Sequence, residues 1–427
     1  MLIRFGITNH LSINEPQELS LAASSLKDES AGLIPPLRTN APPLLPAAVL
    51  YGANASGKSN IVRALRFFRD AVLNSHRESE PGKVIGRAAF RLTAEAEQRP
   101  TRMDADLIVD GVRHHYGFEA SNDAFVAEWL YAFPAGRRQM LFERNDQVFT
   151  FGRALKGRNR VIADLTRKNS LFLSAAAQND HADLTPLWSA VQSWSFDTNV
   201  RVNAAEFFRH YAQQAPDPRI VTFLNDIGTG IVDIETKTEA LSDDDQAKLK
   251  AVVTAIADFA GEAPPEPALS VIPNINLVSF IHQATDGTPV RFSPMDESDG
   301  TRRLVVLMDA IFRALDSGSL LVVDEINANL HTKAAEAILA LFSDRATNPK
   351  GAQIVATTHD TNLLRAPFLR RDQVWFTEKD EGGATHLYPL SDFRTRTGDN
   401  FEKGYLKGRF GAIPYAGDAR SLLARIV

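Results

Sequence analysis

The chain has 427 residues, 44 % of them hydrophobic and 23 % charged, enough apolar material for two or three ordinary globular cores. It contains no cysteine, which excludes disulfides and thiolate metal sites, and its formal net charge of -5 excludes a global pull toward nucleic acid. No run has the length and apolarity of a membrane span, and the opening MLIRFGITNHL turns polar too soon for a secretory signal, so a cytoplasmic location without membrane contact is expected.

Ile3 to Ile7 alternates like a strand, and residues 14–47 are polar and then proline-rich, which predicts a loop. Val49 to Tyr51 reads as a short buried strand and Ser59 to Ser75 as a helix, because Ile61, Val62, Leu65, Phe68 and Val72 share one face. Between them lies Gly52-Ala53-Asn54-Ala55-Ser56-Gly57-Lys58-Ser59, a complete phosphate-binding loop in the strand, loop, helix order that such a loop requires. The backbone N–H groups of Asn54 to Lys58 can surround phosphates at the positive end of the following helix. In this reading Gly52, Asn54, Gly57, Lys58, Ser59 and Asn60 form the nucleotide-contacting set. Lys58 reaches the β and γ phosphates, and the Ser59 hydroxyl joins a magnesium shell.

From Ala88 to Thr150 the pattern changes to strands with turns: 88–92, 105–110, 114–120, 127–133 and 139–144. Asp110-Gly111 is a hairpin signal between two of them, so an antiparallel sheet attached to the nucleotide core is expected. Residues 185–262 read as largely helical, with Leu249, Val252, Val253, Ile256 and Phe259 marking an amphipathic helix, and Gly261 to Pro267 reads as a boundary. Strand patterns return at 276–283 and 290–292. Two helix–strand units follow, ending in strands at Leu320 to Val323 and Gln353 to Thr357. The expected division is an N-terminal lobe over 1–180, a mainly helical insertion over 181–268 and a C-terminal lobe over 269–427.

The strand Leu320 to Val323 ends in two adjacent carboxylates. Asp324 is suited to hold magnesium through water, and Glu325 to polarise an attacking water, two roles that need neighbouring acids at the carboxyl edge of a parallel sheet. The strand Gln353 to Thr357 is followed by Thr358 and His359, and a histidine there can contact a γ-phosphate or hold water and Glu325 in register. Lys58, Glu325 and His359 are therefore the candidate catalytic groups for hydrolysis of ATP.

The order of these motifs resembles the ATP-binding-cassette ATPases, in the branch with SMC-like repair ATPases and OLD-type ATPases. The chain is similar to the RloA-like AAA-family proteins of bacterial defence and restriction-associated loci. The resemblance rests on Ile7 to Ile13, the phosphate loop, Asn169 to Ser174, Glu297 to Thr301, the Asp324-Glu325 strand with Leu330-His331, Thr358 to Asp360, and Tyr405 to Pro414. It implies an α/β fold: an ABC/SMC-like P-loop NTPase core with an antiparallel β subdomain and a helical insertion. It further implies that Ser298 and Gly300 form a signature turn that closes on ATP held by a second subunit, in a head-to-tail homodimer or higher oligomer. Gln178 is the best-placed magnesium-sensing glutamine, which makes Ser59, Asp324 and Gln178 the metal set. Where relatives carry Ser-Leu-His-Pro after the catalytic glutamate, this chain has Asn329-Leu330-His331-Thr332, and Asn327 replaces a more usual acid.

Basic residues concentrate at Arg153, Lys156, Arg158, Arg160, Arg167 and Lys168, and again at Arg394, Arg396, Lys403, Lys407 and Arg409. Neither group is interleaved with aromatics as a base-stacking platform would be, which leaves DNA or RNA as a candidate partner and a solvated face as the alternative. No effector chemistry is legible in the tail. The resemblance therefore implies a Mg-ATP-driven switch that controls a separate nuclease or toxin in anti-phage defence. Two alternatives stand beside it: an SMC-like ATPase acting directly on DNA, and a nucleotide-binding scaffold with little turnover.

Overall fold

The computed structural model describes residues 1–28, 31–39, 41–78, 80–198, 202–212, 214–240, 274–396 and 398–413. The helix expected around Leu249 to Phe259 and the boundary at Gly261 to Pro267 lie outside the described residues. The chain divides into two compact units. The first holds Met1–Thr198, Arg313–Asn327 and His331–Val427; the second holds Asn199–Phe312 and Ala328–Leu330.

In the first unit, β1 (Leu2–Thr8), β2 (Gln17–Ser20) and β3 (Ala47–Gly52) precede α1 (Lys58–Asn74) and the short α2 (Ala94–Gln98). There follow β4 (Thr101–Val109), β5 (Val112–Ala120), β6 (Phe125–Ala132), β7 (Gln139–Asn145) and β8 (Val148–Phe151). Next come α3 (Asn159–Leu165), α4 (Phe172–Gln178), α5 (Thr185–Gln192) and β9 (Ser195–Asp197). All of these strands except β3 and β9 form a seven-stranded sheet in the order β2-β1-β4-β5-β6-β7-β8, antiparallel throughout. Short turns make that arrangement natural: Asp110 and Gly111 both adopt positive φ (49° and 73°), matching the twist of a two-residue hairpin between β4 and β5. Met103, Ala105, Leu107, Tyr116 and Phe118 point inward and are buried, while Arg102, Asp104, Asp106 and His115 alternate with them on the other face.

The second unit begins with α6 (Ala204–Tyr211), opened by a reciprocal cap between Asn203 and Glu206, and α7 (Arg219–Asp226). A three-stranded antiparallel sheet follows, made of β10 (Ile231–Ala240), β11 (Asn274–Gln283) and β12 (Pro289–Phe292). Phe207 of α6 packs on Phe280 of β11 with ring centroids 5.6 Å apart. Helix α8 (Asp299–Ser317) starts in this unit.

The remaining elements of the first unit are β13 (Leu320–Val323), α9 (Thr332–Ser343), β14 (Gln353–Thr357), β15 (Val374–Lys379), β16 (Thr385–Pro389) and α10 (Phe401–Leu406). They build a six-stranded mixed sheet, β16-β15-β3-β14-β13-β9, in which β15, β3, β14, β13 and β9 run parallel and β16 is an antiparallel edge. One hydrophobic cluster spans both sheets of this unit. Phe68 of α1 is its pivot, edge-on to Phe5 at 5.4 Å and stacked on Phe118 at 5.7 Å and on Trp194 at 5.8 Å.

The fold class expected from sequence requires correction. The protein is α/β with mixed sheets, but its main sheet is the seven-stranded antiparallel one, unlike the parallel core of an ABC/SMC-like P-loop NTPase with an appended β subdomain. The N-terminal strand β1 joins this sheet between β2 and β4, and the sheet shares one continuous core with α1 and the mixed sheet. Within the stretch read as largely helical, Ile231–Ala240 forms the strand β10, whereas β11 and β12 fall on the strand patterns expected at 276–283 and 290–292. Three local differences belong here. Residues 88–92 form no strand, since Phe90 is buried with Ala96 and Ala384 and its N–H bonds the Asn9 side chain at 3.0 Å. The polar stretch 14–47 contains β2, and the segment around 195 contributes the three-residue edge strand β9. Among the described residues, no helix is long and apolar enough to cross a membrane.

Candidate functional site

Strand register builds a shelf at one edge of the mixed sheet. Leu50 of β3 pairs with Thr357 of β14, and Ala356 pairs with Val323 of β13. The residues that leave these strands, Gly52 onward, Asp324-Glu325 and Thr358-His359, therefore emerge side by side at their carboxyl ends. This is the edge at which ligands of open α/β sheets gather.

The loop from Gly52 to Lys58 is held open by close backbone approaches. A Cβ on Gly57 would lie 2.2 Å from Thr385 Oγ1, and Gly57 has φ 113°, so only glycine fits there. Ser56 Oγ is 2.6 Å from Thr377 Oγ1, and Thr385 Oγ1 donates to the Ser56 carbonyl at 2.8 Å. Two threonines of β15 and β16 thus brace the loop. Ala55, at its tip, takes φ 64°, a conformation unfavourable for any residue with a Cβ.

Lys58, the first residue of α1, is buried, and its ammonium donates to the carbonyls of Gly52 (2.7 Å) and Ala53 (3.1 Å). Burial lowers its pKa to about 8, with Asp324 and Glu325 pulling the other way. Ser59 Oγ donates to Asp324 Oδ1 at 3.2 Å, and Thr357 Oγ1 donates to the same oxygen at 2.5 Å. Thr357 Oγ1 also accepts the Glu325 N–H at 2.7 Å, which fixes the backbone between the two acids. Glu325 itself has φ 55°, a second left-handed residue at the shelf. His359 feels burial and the Lys58 charge, which together lower its pKa against the opposing pull of Glu325 and Asp324, so the neutral imidazole dominates at neutral pH. Asn327 Oδ1 accepts from Thr358 Oγ1 at 2.8 Å and lies 3.4 Å from the His359 N–H, tying the segment after β13 to the segment after β14.

The structure thus gathers Gly52, Gly57, Lys58, Ser59, Asp324, Glu325 and His359 around one shelf. Asn54 lies in the same loop. Asn60 points elsewhere: its amide donates to Ser12 Oγ at 2.6 Å, and Ser12 Oγ in turn meets Thr385 Oγ1 at 2.7 Å. Gln178 is the last residue of α4, whose first turn is held by the buried Glu128 carboxylate accepting from the N–H groups of Phe172 (2.6 Å) and Leu173 (3.0 Å). In the second unit, Ser298 Oγ accepts the Thr301 N–H at 3.1 Å and so caps the start of α8. A Cβ on Gly300 would lie 2.6 Å from the Asn329 carbonyl, so this glycine lets residues 328–330 approach the helix start.

Thr357, Asn327, Thr377 and Thr385 are residues whose part in the shelf sequence reasoning did not assign. Thr357 stood inside a recognised segment beside His359. Thr377 and Thr385 carried no signal, because they lie more than 300 residues from the loop that they brace.

Among the described residues, no group of three or more His, Asp or Glu side chains is arranged to hold a metal. The donors that do meet are two hard oxygens, Ser59 Oγ and Asp324 Oδ1, a set that suits magnesium completed by phosphate and water oxygens rather than an all-protein cage.

A family model described as "AAA domain, putative AbiEii toxin, Type IV TA system" matches residues 47–365, three quarters of the chain. The chain belongs to this family. It is accordingly a nucleotide-binding, ATPase-like protein of a defence-related family. The match opens at β3 and extends past His359, so it contains the whole shelf apart from the bracing strands β15 and β16. No curated protein matches the chain.

Proposed function

We propose that the shelf binds Mg-ATP and hydrolyses it. The observation that carries this reading is the meeting of Lys58, Ser59, Asp324, Glu325 and His359 at one sheet edge, although nearly 270 residues separate Ser59 from Asp324. Lys58 exchanges its two carbonyl partners for phosphate oxygens, and the backbone N–H groups at the positive end of α1 complete the cradle. Ser59 and Asp324 hold magnesium, which when bound neutralises developing charge on the phosphates. Glu325, oriented through its N–H bond to Thr357, accepts hydrogen bonds from an attacking water. His359, held neutral, offers either a donor or an acceptor to that water or to the terminal phosphate.

In this proposal the Ser298–Gly300 turn of one copy meets the nucleotide on another, giving a head-to-tail dimer, and Gln178 reports on the metal. Hydrolysis then drives a switch acting on a separately encoded partner; the family's toxin–antitoxin context supports a toxin or nuclease pair in anti-phage defence. The decisive experiment is Glu325→Gln. Retained binding of a fluorescent ATP analogue with turnover reduced at least 100-fold is expected, and a dimer stabilised by ATP should appear by light scattering. Equal turnover by the variant and the parent defeats the assignment.

A further inference from the structure

The first unit carries a second, unassigned cavity of about 600 Å³ at the opposite end of the parallel strands from the shelf. Its floor includes Ser319, one residue before β13, whereas Asp324 follows that strand's other end. Along α1, Arg66 stands eight residues beyond Lys58, or about 12 Å at the helical rise. The two sites therefore share a helix without overlapping.

The cavity concentrates cations. Arg66, Arg69 and Arg313 line it against one carboxylate, Asp70, which lies 3.4 Å from Arg69. Arg313 is exposed and its side chain has no hydrogen bond or ion pair among the described residues. Arg69 Nε is buried without a hydrogen-bond partner. Arg66 and Arg69 both lie over the Phe196 ring, 5.4 and 6.0 Å from its centroid, and each commits one N–H group, Arg66 to Thr198 Oγ1 at 3.0 Å and Arg69 to the Gln192 carbonyl at 3.4 Å. Ser195 and Ser319 add hydroxyls around them, while Ser193 and Ser317, also in the lining, donate to the carbonyls of Ala190 and Arg313 at 2.7 Å each. Planar forks with spare donors, a positive excess and hydroxyl donors match the tetrahedral oxygens of phosphate better than the single plane of a carboxylate.

We propose that this cavity binds a phosphate-bearing ligand, two or more phosphates in extent, independently of the nucleotide shelf. A nucleic-acid backbone and a small diphosphate share that chemistry, and the volume admits one nucleotide or more.

The test uses the full chain with two probes, a fluorescein-labelled 12-residue oligothymidylate and inorganic pyrophosphate. The Arg66→Ala/Arg313→Ala double variant alters exposed side chains and should keep the parent's melting temperature. Oligothymidylate affinity is expected to fall at least tenfold in that variant, with ATP-analogue affinity within twofold of the parent. The Arg66→Lys/Arg313→Lys variant should recover most of the loss, because it keeps the charge. Pyrophosphate binding at two sites in the parent and one in the alanine variant, with no oligothymidylate bound, would assign the cavity to a small diphosphate and still uphold it. Binding of both probes by the alanine variant as by the parent overturns the proposal. So does an oligoglutamate peptide bound as tightly as the oligothymidylate, which would make the cavity an acidic-peptide site.

Discussion

Two faces of the first unit carry dense charge and use it in opposite ways. On the outer face of the antiparallel sheet, Arg4 bonds Asp104 at 2.5 Å and Asp106 at 3.0 Å, and Arg113 bonds Asp106 at 2.8 Å. His115 lies 3.1 Å from Asp106 through Nδ1 and accepts the Trp129 indole N–H at 3.0 Å through Nε2. Every strong donor there has found its acceptor within the sheet. Burial pushes the Asp106 carboxyl up, yet the bonds from His115 and Arg113 and the Arg4 charge outweigh it and hold the group below the usual carboxylate range. At the shelf, by contrast, burial wins over the two nearby carboxylates and the Lys58 ammonium loses proton affinity. A saturated network stabilises the fold; in the proposed reading the Lys58 ammonium instead exchanges its two carbonyl partners for an anion that arrives from outside.

The sharpest break of this contrast is a pair of charge deletions. Lys58→Ala should lower ATP-analogue affinity at least 100-fold while leaving thermal stability unchanged or slightly raised, because it removes a buried cation. Asp106→Ala should do the reverse. It is expected to cost about 2 kcal/mol of stability through lost charged hydrogen bonds, discounted because Arg4 and Arg113 are partly exposed, with ATP-analogue affinity within twofold of the parent. A chemical denaturation curve and a fluorescence titration decide both. If Lys58→Ala melts like Asp106→Ala, the lysine is structural and the contrast fails.

pH provides a subtler probe. Lys58 has a folded-state pKa of about 8 against an ordinary value of 10.5. Between those values the unfolded chain binds more protons than the folded one, so this group's contribution makes the unliganded fold more stable as pH rises across that window. In the proposed site nucleotide binding needs the charged lysine and moves the other way. ATP-analogue affinity should stay flat below pH 8 and fall by up to tenfold per unit above it. An affinity independent of pH from 7 to 9.5 would contradict the lowered pKa.

The smallest expected effect is at Ala55. Its left-handed backbone costs roughly 1–2 kcal/mol for a residue with a Cβ, and glycine gives back about 0.5–1 kcal/mol of that gain through the freedom of the unfolded chain. Ala55→Gly should therefore stabilise the protein by about 0.5–1 kcal/mol, measured as a shift in melting temperature, with nucleotide affinity unchanged.

What could be read from the chain alone was whatever local pattern dictates. Continuous apolar runs announced β3, β13 and β14, and the Asp110-Gly111 dipeptide announced the hairpin. The strand β10 carried a β-branched signature, Ile231, Val232, Ile234, Thr236 and Thr238, that a helical reading of the region passed over. Other features had no local cause. The fate of residues 88–92 depends on Asn9 supplying an acceptor to Phe90, and the short β9 exists because β13 offers it an edge. The main sheet's direction followed from strand pairing, including the entry of β1 between β2 and β4, and motif order says nothing about pairing. At the shelf, the side chains proposed to bind and react were legible by residue type, while Thr357, Thr377 and Thr385 became visible only through distant contacts.

The position of β3 has a consequence for biosynthesis. This fully buried strand, which leads into the loop from Gly52 to Lys58, is flanked by β14 and β15, and both lie roughly 300 residues further along the chain. At ribosomal speeds of about 5–20 residues per second, it waits about 15–60 s for its first neighbour in the mixed sheet. Through that interval the nascent protein presents an unpaired apolar strand beside antiparallel hairpins that are already able to fold. Growth temperature and holdase chaperones should therefore govern the yield of soluble protein more than the strength of any contact at the finished shelf.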